Sequence, residues 1–199
     1  MNIFFTADSH FFHKNIISYC QRPFKSVEEM HKVLIENWNK VVGRNDLVYH
    51  LGDFGMGNIS DLQKLREKLN GQIVLIAGGH DKAIVADLIA SDYMFLKIRH
   101  LLTLQTSIGK IVLCHYPLRV WDCSHYNSYH LFGHCHGSQK TWGKSYDVGV
   151  DTNNFTPLSL SEISNIMKDL PDNPNLCRGR EVSEVIERHK NYAQTTQPA

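Results

Sequence analysis

Short apolar segments that end in aspartate or histidine residues dominate the first two thirds of this sequence. The segments are residues 2–7, 46–51, 72–77, 110–114 and 129–132. The polar residues and glycines that follow them are Asp8 and His10; Asp53; Gly79, His80 and Asp81; His115; and His134 and His136. Each segment has the length and composition of a buried strand. In α/β sheets, ligand sites lie beyond the carboxyl ends of strands, so this pattern predicts a functional site there.

Amphipathic helical patterns separate the first three of these strands. Ser26 and Glu29 predict a capping box at the start of a helix over residues 26–41, whose apolar residues recur at spacings of three and four. Ser60 is predicted to cap the next helix, and residues 82–90 are predicted to form a short one. This alternation of strand and helix predicts an α/β fold.

The second half of the chain is richer in strand patterns. Residues 95–104 and 110–114 predict a hairpin. Residues 129–132 and 146–150 predict two further strands, and residues 159–170 predict a capped helix.

Length and composition set limits on the class of protein. The 199 residues carry a formal net charge of +1, which does not favour a nucleic-acid wrapper or a polybasic membrane binder. Apolar stretches are shorter than the ~20 residues of a membrane span, and no signal peptide is expected. The five cysteines are odd in number and lack zinc-knuckle spacing, which indicates reduced thiols and a cytoplasmic location.

We expect one α/β domain over residues 1–170, followed by a C-terminal extension over residues 171–199. Within the extension, residues 181–192 are predicted to form a peripheral helix, and residues 193–199 are predicted to be frayed.

The aspartates and histidines at the strand ends are the residue types of a two-metal hydrolytic centre. Two cations about 3.5–4 Å apart clamp phosphate oxygens and lower the pKa of a bridging water. Asp8 and His10 are two positions apart, and His134 and His136 repeat that spacing. If the strand continues through them, each pair shares a face of the sheet. Any one of these motifs alone is compatible with a turn or with a core histidine, whereas their joint occurrence indicates a metal site.

In this order, Asp-x-His, Gly-Asp, Gly-x-His-Asp, His and Gly-His-x-His resemble the motifs of calcineurin-like metallophosphoesterases, in particular small bacterial or phage-type members. The resemblance covers residues 1–170. It implies a four-layer α/β/β/α sandwich of two mixed β-sheets flanked by helices. It also implies two divalent metal ions, manganese first, with nickel, iron, zinc or magnesium as alternatives.

The resemblance assigns roles to individual residues. It places Asp8, His10 and His136 on the first metal, Asp53 between the two metals, and His115 and His134 on the second metal. His80 would contact the phosphate and assist the leaving group, and Asp81 would orient His80 through a hydrogen bond.

Gly79 departs from the family pattern. The family has asparagine at this position, where its amide oxygen is a neutral ligand of the second metal, and glycine has no side chain to replace it. We therefore expect a weaker second metal site.

Four residues are candidates for substrate binding. His13 and Asn15 follow the first motif closely enough to contact phosphate, although polar residues at the start of a helix are an equally good interpretation. Arg22 and Arg119 have the guanidinium fork that binds phosphate, although most arginines lie on the surface with no such role. Asp151 is open between a segment that closes the site and a simple turn or cap.

The sequence thus predicts hydrolysis of a phosphodiester or phosphomonoester, with a small nucleotide, cyclic forms included, favoured over long duplex nucleic acid. The alternative is a catalytically impaired scaffold that binds a ligand or a protein, an interpretation that Gly79 keeps open. A structural zinc protein is disfavoured, since structural zinc prefers closed cysteine-rich sites.

Overall fold

The computed structural model describes residues 1–177, and in that part of the chain two β-sheets pack face to face. The strands are β1 (Ile3–Thr6), β2 (Leu47–His50), β3 (Gln72–Ile76), β4 (Lys97–Arg99), β5 (Leu101–Thr106), β6 (Gly109–Cys114), β7 (Tyr129–Phe132), β8 (Ser145–Asp147) and β9 (Leu158–Ser159). The helices are α1 (Ile16–Tyr19), α2 (Val27–Val41), α3 (Ile59–Arg66), α4 (Lys82–Ala86), α5 (Leu88–Met94) and α6 (Leu160–Asp169), with short 3₁₀-helices at Ser124–Tyr126 and Val150–Thr152.

The first sheet has the strand order β4-β3-β2-β1-β9. Strands β1 to β4 are parallel, and β9 runs antiparallel to β1. Phe4 of β1 is in register with Val48 of β2, and both side chains pack against the helices on the outer face. The neighbouring pair, Phe5 and Tyr49, points to the opposite face, towards the second sheet. Because strand side chains alternate, both faces of this sheet are buried.

The second sheet has the order β5-β6-β7-β8, with β5 and β6 antiparallel and the other pairs parallel. Its inner face contributes Ile111, Leu113 and Leu131 to the cluster between the sheets, where α6 adds Ile163 and Met167. On its other face, Trp121 packs against His130. The predicted α/β fold of two mixed sheets flanked by helices is confirmed.

The two sheets are joined at the edge where the loops that carry the aspartates and histidines follow the strands. Ala7, just after β1, forms a parallel bridge with Gly149, just after β8, and the amide of Val150 donates to the Ala7 carbonyl at 3.0 Å. The carboxyl ends of β1, β2, β3, β6 and β7 therefore surround one region.

Two sequence predictions about the middle of the chain are wrong. The single strand predicted over residues 95–104 is divided at His100: β4 belongs to the first sheet and β5 to the second. The single helix predicted over residues 82–90 is two helices, because the Asp87 side chain accepts from the Ala90 amide at 3.0 Å and caps α5 as a new helix.

The predicted caps have mixed outcomes. Ser26 caps α2, but the Glu29 carboxylate accepts from the amide of Lys25 at 2.7 Å. Asn58, not Ser60, caps α3. At the start of α6 a complete capping box forms, as expected.

The predicted helix over residues 181–192 and the tail over residues 193–199 lie outside the described residues. No helix within residues 1–177 combines the length and the apolar character needed to cross a membrane.

Candidate metal centre

The candidate ligands lie in loops directly after the strands, not in the strands themselves. Asp8, His10, Asp53, His134 and His136 all have a left-handed backbone, with φ between 47° and 68°. This conformation is uncommon outside glycine, and it bends each loop so that the side chains converge. The expectation that Asp8 and His10 share a strand face is therefore wrong, because both residues lie in a loop. The loop backbone still brings their side chains together.

The first group of ligand atoms comes from Asp8, His10 and His136, whose donor atoms all lie within 4.8 Å of one another. Asp8 is fully buried, and its carboxylate accepts from the amide of His134 at 2.9 Å. The His10 and His136 rings stack with their centroids 5.2 Å apart. This is the set that the sequence assigned to the first metal.

The second group consists of Asp53, His115 and His134, again within 4.8 Å of one another. Although His134 and His136 are two positions apart, they contribute to different groups. His115 is buried, and its Nδ1 lies 2.7 Å from the carbonyl oxygen of Leu51, which leaves Nε2 free to face Asp53.

Asp53 lies between the two groups. Its Oδ2 is 3.6 Å from His10 Nε2 and 3.4 Å from His115 Nε2. Gly52 allows this close approach, because a Cβ at that position would lie 2.6 Å from His115 Nδ1.

The donor set fits metal ions. His10 Nε2 and His115 Nε2 are buried and have no hydrogen-bond partner among the described residues. A buried polar atom without a partner is costly, and a cation held by nitrogen and carboxylate oxygen atoms removes that cost. Mixed nitrogen and oxygen donors suit first-row transition metals.

The electrostatics of the metal-free site favour ligand-competent forms at two residues. Burial lowers the pKa of His10 to about 3, so its imidazole is neutral. Burial alone would raise the pKa of Asp53, but the nearby His115 imidazole and the His80 amide, which donates to Asp53, hold that pKa below its ordinary value. Asp8 differs, because burial raises its pKa to about 7.

His80 and Gly79 lie on the open side of the cluster. His80 is exposed, its Nε2 is 3.9 Å from Asp53 Oδ2, and its ring centroid is 5.2 Å from that of His10. The amide of His80 donates to Asp53 Oδ1 at 2.9 Å. Gly79 leaves open space in which a Cβ would meet only the hydroxyl of Tyr116, at 3.5 Å.

Asp81 does not orient the His80 ring as predicted. It is fully buried, and its carboxylate accepts from the backbone amides of Asp53, Phe54 and Gly78, each at 2.8 Å. These amides engage both carboxylate oxygens, so Asp81 fixes the loops that carry Asp53 and His80.

The predicted substrate residues have different positions. His13 joins the cluster, with its Nδ1 3.4 Å from His10 Nδ1. Asn15 is exposed ahead of α1 and makes no capping bond. Arg119 is exposed, and its guanidinium lies 4.5 Å from the centre of the Trp142 ring.

The prediction that Arg22 binds substrate is wrong. Arg22 is buried, and its guanidinium donates to both carboxylate oxygens of Asp151 at 2.7 and 2.8 Å and to the carbonyls of Asp8 and Ser9. Each guanidinium nitrogen already has a protein partner, so Arg22 supports the loop after β1.

Asp151, which the sequence left open, belongs to the site. Its Oδ2 lies 2.6 Å from His136 Nδ1. The turn that carries Asp151 gave no pattern that distinguishes this contact from a simple cap, because Arg22 and His136 are remote from it in sequence.

The chain is similar in sequence to an archaeal protein over most of its length. The chain is 35% identical over 175 residues to the uncharacterized protein MJ1445 of Methanocaldococcus jannaschii, which covers 83% of this chain and 91% of the relative. The chain belongs to the MJ1445 family.

The chain is also similar to a phage protein and to a solved structure. The Gene 66 protein of Mycobacterium phage L5 is 34% identical over 84 residues, or 40% of each chain. The crystal structure of AQ665, a protein of unknown function from Aquifex aeolicus, matches with a TM-score of 0.66 at 24% identity, over 83% of this chain and 98% of AQ665. The MJ1445-family chain therefore shares the fold of AQ665. No family model matches.

Proposed function

We propose that this protein is a metal-dependent phosphoesterase of the calcineurin-like type with a dinuclear centre. The observation that carries the proposal is the position of Asp53 Oδ2, 3.6 Å from His10 Nε2 and 3.4 Å from His115 Nε2. A carboxylate between two groups of nitrogen and oxygen donors is the arrangement that a bridged metal pair requires.

Each residue then has a role. Asp8, His10 and His136 would hold the first metal, His115 and His134 would hold the second, and Asp53 would be shared by both; manganese is the first choice, with nickel, iron, zinc or magnesium as alternatives. When bound, two such cations supply a hydroxide nucleophile near neutral pH and neutralise phosphate charge.

The chain's own contribution to the reaction comes from the exposed side of the cluster. His80 Nε2 lies 3.9 Å from Asp53 Oδ2, and the side chain is 43% exposed, so the imidazole can reach an oxygen atom of a substrate seated over the cluster. This suits stabilisation of the phosphate and protonation of the leaving oxygen. His13 lies beside His80, with ring centroids 5.7 Å apart, and offers a second contact to phosphate.

The proposed substrate is a phosphodiester or phosphomonoester of a small nucleotide, cyclic forms included. Tyr19 is 71% exposed, and its ring centroid is 6.1 Å from that of His13, which provides an aromatic surface for a base. The near-neutral chain does not favour long duplex nucleic acid. We also propose a cytoplasmic location without membrane association.

A binding scaffold without turnover is the second candidate, because Gly79 provides no side chain at the second group. One assay decides between the two. Metal-free protein is supplied with manganese, nickel, zinc or magnesium, and hydrolysis of a chromogenic phosphodiester and monoester is measured.

We expect metal-dependent turnover in the wild-type protein. His80→Ala should lower kcat by about 10²–10⁴-fold, the usual contribution of a general acid, with metal affinity retained. Asp53→Ala should abolish turnover and metal binding together. His100 is exposed, so His100→Ala is the control and should change neither turnover nor metal affinity. Absence of turnover with every metal, in both wild type and Gly79→Asn, would reject the enzyme and leave the scaffold.

A further inference from the structure

The hydroxyl of Tyr116 borders the open space beside Gly79. Among residues 1–177, a Cβ at position 79 would have one neighbour within 4 Å, the hydroxyl oxygen of Tyr116 at 3.5 Å. The side chain that would extend from a larger residue at position 79 therefore meets the Tyr116 hydroxyl first.

The ring of Tyr116 is held by the two histidines of the second group. Its centroid is 4.8 Å from that of His115 and 4.8 Å from that of His134, in near-perpendicular arrangements at 75° and 70°. The two histidine rings are themselves 5.1 Å apart. Edge-to-face packing of this kind is favourable and fixes the direction in which the hydroxyl points.

The hydroxyl is uncommitted and accessible. Tyr116 is 45% exposed, and its hydroxyl makes no hydrogen bond with another residue in the range 1–177. A phenolic oxygen can both donate and accept, so it can supply a neutral oxygen donor as an amide carbonyl does.

We propose that Tyr116 takes the place of the missing side chain at position 79 and supplies the oxygen donor that completes the second metal group. This inference rests on the proposed function, because it concerns the same pair of metal ions.

A double-mutant cycle at positions 79 and 116 tests the proposal. The wild type, Tyr116→Phe, Gly79→Asn and the double variant are titrated with manganese by isothermal titration calorimetry, and bound metal is counted by elemental analysis. Tyr116→Phe should weaken the second binding event by about tenfold or more, equivalent to one lost donor interaction of about 1.4 kcal/mol.

The cycle also predicts strong coupling. Gly79→Asn should restore second-metal affinity in the Tyr116→Phe background but give a smaller gain in the wild type, because the amide and the hydroxyl compete for one space. An equal gain in both backgrounds, or unchanged second-metal affinity in Tyr116→Phe, would overturn the proposal. A change in KM alone would also overturn it, since the hydroxyl would then act on substrate.

Tyr93→Phe is the matched control, because Tyr93 lies on α5 with its hydroxyl bonded to Glu67 at 2.6 Å. It should leave both binding events unchanged. If the wild type binds two metal ions and turns over substrate while Tyr116→Phe behaves identically, only this inference fails. If the wild type binds no metal pair, the proposed function fails with it.

Discussion

At the scale of single residues, the site depends on side chains that form hydrogen bonds with the candidate ligands. The Asp151 carboxylate lies 2.6 Å from His136 Nδ1 and receives two hydrogen bonds from the Arg22 guanidinium. A proton on Nδ1, shared with Asp151, leaves Nε2 as the free donor atom of His136. Burial opposes charge on both partners, yet their hydrogen bond raises the pKa of His136 and lowers that of Asp151.

Asp151→Asn should weaken metal binding without replacing a proposed ligand. An amide in place of the carboxylate removes the charge that orients and polarises His136, and loss of such a partner typically costs 10–100-fold in metal affinity. Manganese affinity is measured by calorimetric titration. Urea unfolding at the same temperature verifies that both proteins are folded. Asp122→Asn, at an exposed carboxylate paired with Lys110, should bind like wild type; equal weakening in both variants would contradict the assignment.

The sequence identified which residues gather but misassigned some of the supporting ones. Asp8, His10, Asp53, His115, His134 and His136 all lie in the two groups, because strand direction brings their loops to one edge. Arg22 was a candidate phosphate contact because of its guanidinium fork, and the family resemblance implied that Asp81 orients His80 through a hydrogen bond. Their roles depend instead on partners distant in sequence: Asp151 for Arg22, and the Asp53–Phe54 backbone for Asp81.

At the scale of elements, strands bounded by strong polar signals were predicted well, and boundaries inside continuous patterns were not. β1, β2 and β3 lie within their predicted ranges, whereas β4 and β5 had been joined. At His100 the chain passes from the first sheet to the second, but the pattern of apolar residues in the sequence continues across this point. Only the pairing of β4 with β3 and of β5 with β6 reveals the division.

The start of α3 allows a direct test of one such boundary. Asn58 has an extended backbone, and its side chain accepts from the Asp61 amide at 2.9 Å, whereas Ser60 is already inside the helix. Asn58→Ala should lower the free energy of unfolding by about 1 kcal/mol. Ser60→Ala should raise it by a few tenths of a kcal/mol, because alanine is the better residue in a helix interior. Urea denaturation measures both, and a larger loss for Ser60→Ala would restore Ser60 as the cap.

At the scale of the whole molecule, the fold buries histidines far from the site as well as in it. His130, on β7, is fully buried against Trp121. Its Nδ1 lies 2.9 Å from the Val112 carbonyl, and its Nε2 accepts from the Leu118 amide at 3.0 Å, so both ring nitrogens are satisfied only in the neutral form. Burial lowers the pKa of His130 to about 4.

This buried histidine should make the metal-free protein less stable in acid. The folded-state pKa of about 4 lies below the ordinary value of 6.5, so the unfolded chain binds the proton more tightly. The stabilisation from neutral His130 is therefore complete above pH 6.5 and is lost as the pH falls towards 4, by about 2 kcal/mol between pH 7 and pH 5. His130→Gln should be less stable at pH 7 but lose correspondingly less stability on acidification, as measured by urea unfolding at both pH values in the presence of chelator. His100→Gln, at an exposed position, should keep the wild-type pH dependence, and a parallel loss in wild type and His130→Gln would show that His130 does not couple the fold to pH.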